Sequence, residues 1–272
     1  MRATFGDHLR ALSNAPPPRR TLWREVRGRI WLDHALWRSG LSINEFERTY
    51  IHRGRSTSNL VKKWRTGSAL PVRASAAALE RLLPGTLWLF DLPLFPLLAD
   101  KQIPKRELIR LTRELLGESW AGLPEWHIPV PDPYGHTVYS RISSRELVHR
   151  GDIWGLCVLI CAMRWAELEG AVEKHMEASK DAFRSLPALL REPWTSESVR
   201  PLYELINRIR NRMPYSATLF QVRWETIELL AAKPDFEANP LRRSKSGSKD
   251  PEKYPDPIIT MRLVPNKTRQ LW

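Results

Sequence analysis

Apolar positions recur at helical spacing along most of the chain. Between Thr21 and Gly40, Leu22, Trp23, Val26, Ile30, Trp31, Ala35 and Leu36 keep the three-and-four repeat of a single helix face, and Gly40 supplies a stop. Ser42 with Glu45 three residues on forms a capping box, which predicts a second helix from Ile43 to Ile51 with Ile43, Phe46, Tyr50 and Ile51 inward. Thr57 is the expected N-cap of a third helix that buries Leu60, Val61 and Trp64 and ends before Gly67. Pro71 opens a fourth helix, Val72 to Leu83, closed by Pro84-Gly85. The run Thr86 to Ala99, TLWLFDLPLFPLLA, is so apolar and Pro-broken that it must be covered, as a short bridging helix at a hinge or interface.

Past this run a helix is expected from Pro104 to Gly117. The segment 123–139 carries Pro124, Pro129, Pro131 and Pro133 and reads as an ordered loop with a brief strand at His136 to Ile142. Ser143 and Glu146 make another capping box, and Gly151-Asp152 interrupts. Ile153 to Leu168 is apolar on nearly every side, the mark of a central buried helix. Gly170 to Leu190 is amphipathic, and two more helices are expected at about Glu197 to Arg212 and Tyr215 to Ala232. After Lys233 the composition turns polar and rich in Pro, Gly and Ser, too poor in apolar surface to offset the entropy of ordering. Near its end, Ile258 to Val264 has strand character, suited to a partner's sheet edge or to folding back on the body. The predicted fold is all-α: an N-terminal arm (1–19), a basic helical domain (20–99), a larger helical domain (100–232) and a flexible C-terminal tail (233–272).

Charge sharpens this picture. The 272 residues carry a formal net charge of +13, and residues 1–75 hold fifteen Lys and Arg against five Asp and Glu. Such local basicity favours a polyanion, because each phosphate neutralised releases condensed counterions. The longest apolar run, Ile153 to Met163, ends at Arg164, well short of the roughly 18 to 20 residues that a membrane helix needs. The N-terminus lacks an apolar signal-peptide core and there are only two cysteines, so a cytoplasmic, nucleoid-associated protein is expected.

The run Leu41 to Leu83 resembles the Cro/repressor-type helix-turn-helix family through Thr57, Val61, Trp64, Gly67 and Pro71. The resemblance implies that Ser58, Asn59, Lys62 and Lys63 meet base edges. Their chemistry agrees independently, since Asn pairs with adenine, Ser with either edge, and Lys with guanine acceptors or phosphate. Thr57, Arg53, Arg55 and Arg65 complete the expected nucleic-acid-binding set, the two turn arginines suiting phosphate. The turn, Thr49 to Ser56, departs from the family by about four extra residues, estimated by aligning the two helices.

Other candidates have plainer explanations. Arg19, Arg20, Arg24, Arg27 and Arg29 suit a phosphate track or a minor groove, and a solvated helix face equally well. Trp23, Trp31 and Trp37 fit core better than base-stacking platforms. Cys157 and Cys161 lie one turn apart without further ligand spacing, and read as packing. Glu167, Glu169, Glu173, His175 and Glu177 lack the paired Glu-x-x-His of a di-metal bundle, and read as a solvated face. His127, His136 and His149 flank the Pro-rich loop without a nucleophile at recognisable spacing. No catalytic residue, metal or cofactor is therefore expected. The function expected is that of a nucleic-acid-binding protein of a bacterium or mobile element, with duplex DNA as the partner and RNA as the variant reading. It would act as a regulator or as a non-catalytic subunit of a nucleoprotein complex, with protein contacts or self-association through the C-terminal domain and tail. The alternative is a protein-interaction subunit with a vestigial helix-turn-helix whose basic face meets an acidic protein.

Overall fold

The computed structural model describes residues 21–51, 59–116, 127–131, 137–141, 144–213, 220–233 and 259–261. The fold is all-α with two short antiparallel ribbons. In chain order the elements are α1 (Leu22–Ser39), α2 (Ile43–Phe46) continuing as a π-helical turn (Glu47–Ile51), α3 (Leu60–Arg65), α4 (Arg73–Glu80), α5 (Leu87–Asp91), α6 (Leu94–Leu97) and α7 (Lys105–Leu116). Then come β1 (His127–Pro131), β2 (Thr137–Arg141), α8 (Ser144–Arg150), α9 (Ile153–Glu169), α10 (Val172–Arg191), a 3₁₀ turn (Ser196–Ser198), α11 (Val199–Asn211), β3 (Phe220–Val222), α12 (Trp224–Ala231) and β4 (Ile259–Met261). No helix of the described residues is long and apolar enough to cross a membrane. By its contacts the chain divides into two compact units, Met1–Pro96 with Glu192–Leu202, and Leu97–Arg191 with Tyr203–Trp272. The segment Glu192–Leu202 thus belongs with the N-terminal helices, although its place in sequence puts it among the C-terminal ones.

In the first unit α1 is the spine. Gly40 ends it in the left-handed region, φ 65°, where its N–H donates to the carbonyls of Leu36 and Trp37. The Ser42/Glu45 capping box forms in both directions. Trp31, Phe46, Ile51, Val61, Trp64, Ala76, Leu79 and Phe90 make one core, so that α1 to α5 share a single apolar centre. The turn between α4 and α5 is held by a carboxylate. Glu80 accepts the backbone N–H groups of Gly85, Thr86 and Leu87, each at 2.7 Å, and the Thr86 hydroxyl at 3.1 Å. Burial works against its ionisation, but these four donors outweigh it and hold the carboxyl down to about 2.

The second unit is built around α9, whose residues from Leu156 to Cys161 are all buried, in keeping with its uniform apolarity. Cys161 packs beside Thr112 of α7, Sγ to Oγ1 3.2 Å, and burial pushes its thiol up to about 12. The Thr112 hydroxyl also accepts the Trp165 indole N–H at 2.9 Å. Arg164, 2% exposed, donates to the Leu97 carbonyl at 2.7 Å, to the Ala99 carbonyl, and to Glu167 at 2.7 Å. Glu167 in turn accepts from Arg212. Glu167 and His175 are thus interior groups, and the acidic set is not one solvated face; Glu169, Glu173 and Glu177 are exposed. Gly151 takes φ +62°, and a Cβ there would lie 2.6 Å from the Ala188 Cβ.

Two further differences from the sequence expectations have local causes. The Pro-rich segment contributes a strand, β1, paired with β2 in the register Val130 to Val138; prolines fit because each strand of a two-stranded ribbon keeps one unpaired edge. Within the helix expected from Tyr215 to Ala232, Phe220–Val222 instead form β3, fixed by the Tyr203 hydroxyl donating to the Val222 carbonyl at 3.0 Å and by Arg210 donating to the Phe220 carbonyl at 2.7 Å, and α12 follows from Trp224, residues 215–219 lying outside the described residues. Ile259–Met261 form β4 and fold back against β3, one of the two outcomes expected from the strand character of 258–264. The arm 1–19, the Ser143/Glu146 box, His136, and the tail residues 234–258 and 262–272 lie outside the described residues.

Glu80→Gln should lower the unfolding free energy at pH 7 by about 1 to 3 kcal/mol, since bonds to a charged acceptor are lost. The depressed carboxyl contributes stability that is present above its unfolded value near 4.5 and lost as pH falls toward 2. Wild type and variant should therefore converge in urea titrations over that interval, and a constant gap would refute the assignment. Gly151→Ala should cost at least about 2 kcal/mol, combining left-handed strain with overpacking against Ala188; an unchanged urea midpoint would show that the approach is not tight.

Candidate functional site

The predicted recognition helix is α3. It is shorter than expected and starts later: the sequence places its N-cap at Thr57, but the helix begins at Leu60 and has 6 residues. The cause is non-local. Asn59 sits in the left-handed region, φ 56° and ψ 24°, which Asn tolerates better than most residues, and the Leu60 N–H donates to Glu47 Oε1 at 2.8 Å. Glu47, 1% exposed in the π-helical turn after α2, thereby places a carboxylate at the positive end of α3. At the other end the Lys62 carbonyl accepts the Thr66 hydroxyl at 3.0 Å, and the Lys63 carbonyl accepts the Ser68 hydroxyl at 3.2 Å.

With Val61 and Trp64 buried, Lys62 and Lys63 are left exposed, and neither ammonium makes an ion pair or hydrogen bond among the described residues. Asn59 is exposed beside them. Arg65 faces elsewhere. Its Nη2 donates to Glu197 at 2.7 Å, its Nε lies 3.8 Å from Asp33, and its carbonyl accepts from Arg29 Nε at 3.3 Å. Arg53, Arg55, Thr57, Ser58, Arg19 and Arg20 lie outside the described residues. Of the second basic set, Arg24 stands over the Trp23 ring at 5.1 Å, and Arg27 over Phe90 at 4.3 Å. Burial, then repulsion from Arg24, lowers the Arg27 pKa. These arginines are half-buried packing groups as well as charges.

Arg65 opens onto a second feature, a cleft of about 460 Å³ lined by Asp33, Trp37, Leu41, Ile43, Arg65 and Glu197, among others. Trp31 is core as expected, but Trp37 is 55% exposed. Trp37, Trp88 and Trp194 surround the buried His34 with ring centroids 6.0, 5.9 and 4.9 Å away. Burial, then Arg38, lowers the His34 pKa to about 4. Burial pushes the Asp33 carboxyl up to about 6, against the pull of Arg65. This cleft leaves no local trace in the sequence, since Pro193, Trp194 and Glu197 come from far along the chain. Among the described residues no group of three His, Cys, Asp or Glu is arranged to hold a metal. Compared with protein-family models, curated proteins and solved structures, the chain matches none.

The displaced titrations of Asp33 and of the two buried histidines have opposite signs. Asp33, raised in the fold, gains protons relative to the unfolded chain as pH falls from 6 to 4, so its contribution to stability grows; His34 and His175, both lowered to about 4 by burial, lose theirs across the same range. Asp33→Asn should therefore steepen the loss of stability between pH 6.5 and 4 in urea titrations. A slope equal to that of wild type would show that Asp33 ionises normally.

Proposed function

We propose that the chain is a nucleic-acid-binding protein, with duplex DNA as its first partner and RNA as the variant reading, which grips the polyanion through α3 in the manner of a Cro/repressor-type helix-turn-helix. The observation that carries this is the pair Lys62 and Lys63, exposed and unpaired among the described residues, on a helix whose opposite face, Val61 and Trp64, is locked into the core shared by α1 to α5. Two fixed cations beside an exposed Asn59 suit phosphate contact with limited base reading. A helix of 6 residues rises about 9 Å, too little to read many base pairs. That favours an architectural or anchoring role in a nucleoprotein complex of a bacterium or mobile element over a repressor with an extended recognition surface. In this reading Arg53 and Arg55 add phosphate contacts, and the C-terminal helices serve protein contacts.

Fluorescence anisotropy with labelled duplex and single-stranded oligonucleotides over a salt series tests the proposal. Binding should weaken steeply with salt, and Lys62→Ala with Lys63→Ala should lower affinity on all sequences and reduce the salt slope by about 1 per lysine. Asn59→Gly, which keeps the left-handed backbone while removing the side chain, should relax sequence preference with little loss of non-specific affinity. No binding to any oligonucleotide at low salt would end the nucleic-acid reading, and an unaltered slope in the double-lysine variant would remove α3 from it.

A further inference from the structure

The cleft beside Arg65 carries chemistry that nucleic-acid binding does not use. One wall is apolar and open: Leu41 and Ile43 are partly exposed, and Trp37 and the nearby Trp88 are 55% and 47% exposed. Two tryptophans so exposed next to a cleft mark a contact surface more than a core margin. The other wall is acidic. The Asp33 side chain is only 12% exposed, yet among the described residues its one ion pair is with Arg65 Nε at 3.8 Å, Arg29 acting on it from farther off, and it makes no hydrogen bond there. Glu197, 57% exposed, accepts one bond from the same guanidinium. Among the described residues two carboxylates therefore form their ion pairs with a single guanidinium, leaving several acceptor positions unmet.

From this arrangement we infer that the cleft is a docking site for a partner polypeptide, which inserts an arginine or lysine side chain between Asp33 and Glu197 while its stem lies on Trp37 and an adjoining apolar residue covers Leu41 and Ile43. Each part matches a defined need. A partly desolvated carboxylate short of donors is satisfied by a guanidinium or ammonium, and charge-assisted bonds of this kind are the stronger ones. The ring face of Trp37 attracts the same cation. The exposed tryptophan surface extends beyond what a lone cation covers, which selects a peptide over a free amine. Nucleic acid is disfavoured at this place, because a phosphate would meet two carboxylates. The site is separate from Lys62 and Lys63, so it stands or falls independently of the nucleic-acid proposal.

The test is an immobilised hexapeptide array that pairs apolar residues with arginine, lysine or the neutral arginine isostere citrulline, probed with the full chain. The protein's formal net charge of +13 works against non-specific attraction to cationic peptides, so a preference for them is diagnostic. Arginine and lysine peptides should outbind their citrulline counterparts by at least about tenfold, the size of a charge-assisted bond expressed as a ratio. The preference should largely disappear in the Asp33→Asn, Glu197→Gln double variant, and Trp37→Ala should weaken both peptide classes, arginine peptides the more because the ring also attracts the cation. Trp37→Tyr, which keeps an aromatic face, should restore most of the binding and guards against a merely misfolded variant. The inference is overturned if citrulline peptides bind as well, if the cationic preference survives in the double variant, if no peptide binds, or if Trp37→Ala abolishes oligonucleotide binding while leaving peptide binding intact.

Discussion

The N-terminal unit depends on Trp31. Fully buried in the middle of α1, it meets Trp64 of α3 edge-on at 5.7 Å and Phe90 of α5 at 5.5 Å, so one indole ties three helices together. Edge-to-face packing has an orientation preference as well as an area, so it fixes rotation and not only proximity. For α3 that rotation is decisive. A helix of 6 residues has too few internal bonds to persist alone, and it exists here because Trp64 and Val61 are held inward and Glu47 caps its first N–H. Once positions 61 and 64 face the core, positions 62 and 63 must face away. The outward pair of lysines is thus a consequence of an aromatic contact on the far side of the helix.

Much of this was legible because it is local. Gly40 as a stop, the Ser42/Glu45 box, the inward face of α2 and the uniformly apolar α9 each follow from residues within two turns of one another. What was not legible is carried by distant partners. The start of α3 depends on Glu47 thirteen positions back, and Arg65 is drawn off the basic face by Glu197, 132 positions away. Trp37 shows a different failure. It lies seven residues after Ile30, and so on nearly the same face of α1, but at the last turn that face opens on the cleft instead of the core. Periodicity says which way a side chain points and not what waits there.

The C-terminal unit illustrates the same division. A stretch containing Glu167, Glu173, His175 and Glu177 has the composition of a solvated surface. Yet Arg164 reaches two backbone carbonyls and Glu167, which makes the interior position of both charges tolerable, because each is paired and the arginine donors find acceptors. The Leu97 and Ala99 carbonyls belong to the end of a Pro-broken apolar run where helical bonding has stopped, so the arginine supplies the donors that the backbone cannot. Composition alone cannot distinguish a buried network of this kind from a wet face.

The charge arrangement around α3 gives the two proposed contacts a common physical basis. Lys62 and Lys63 stand on one side of the helix and the Asp33, Glu197 and Arg65 group on another. In the two proposed contacts a phosphate would meet the lysine side and a cationic side chain the carboxylate side. Arg65 is what makes this separation possible. It pairs with both carboxylates of the acidic wall, while Lys62 and Lys63 of the same helix are exposed and make no ion pair among the described residues. Because Trp64 fixes the helix rotation, the segregation of charge is set by the core and not by the flexible side chains that display it.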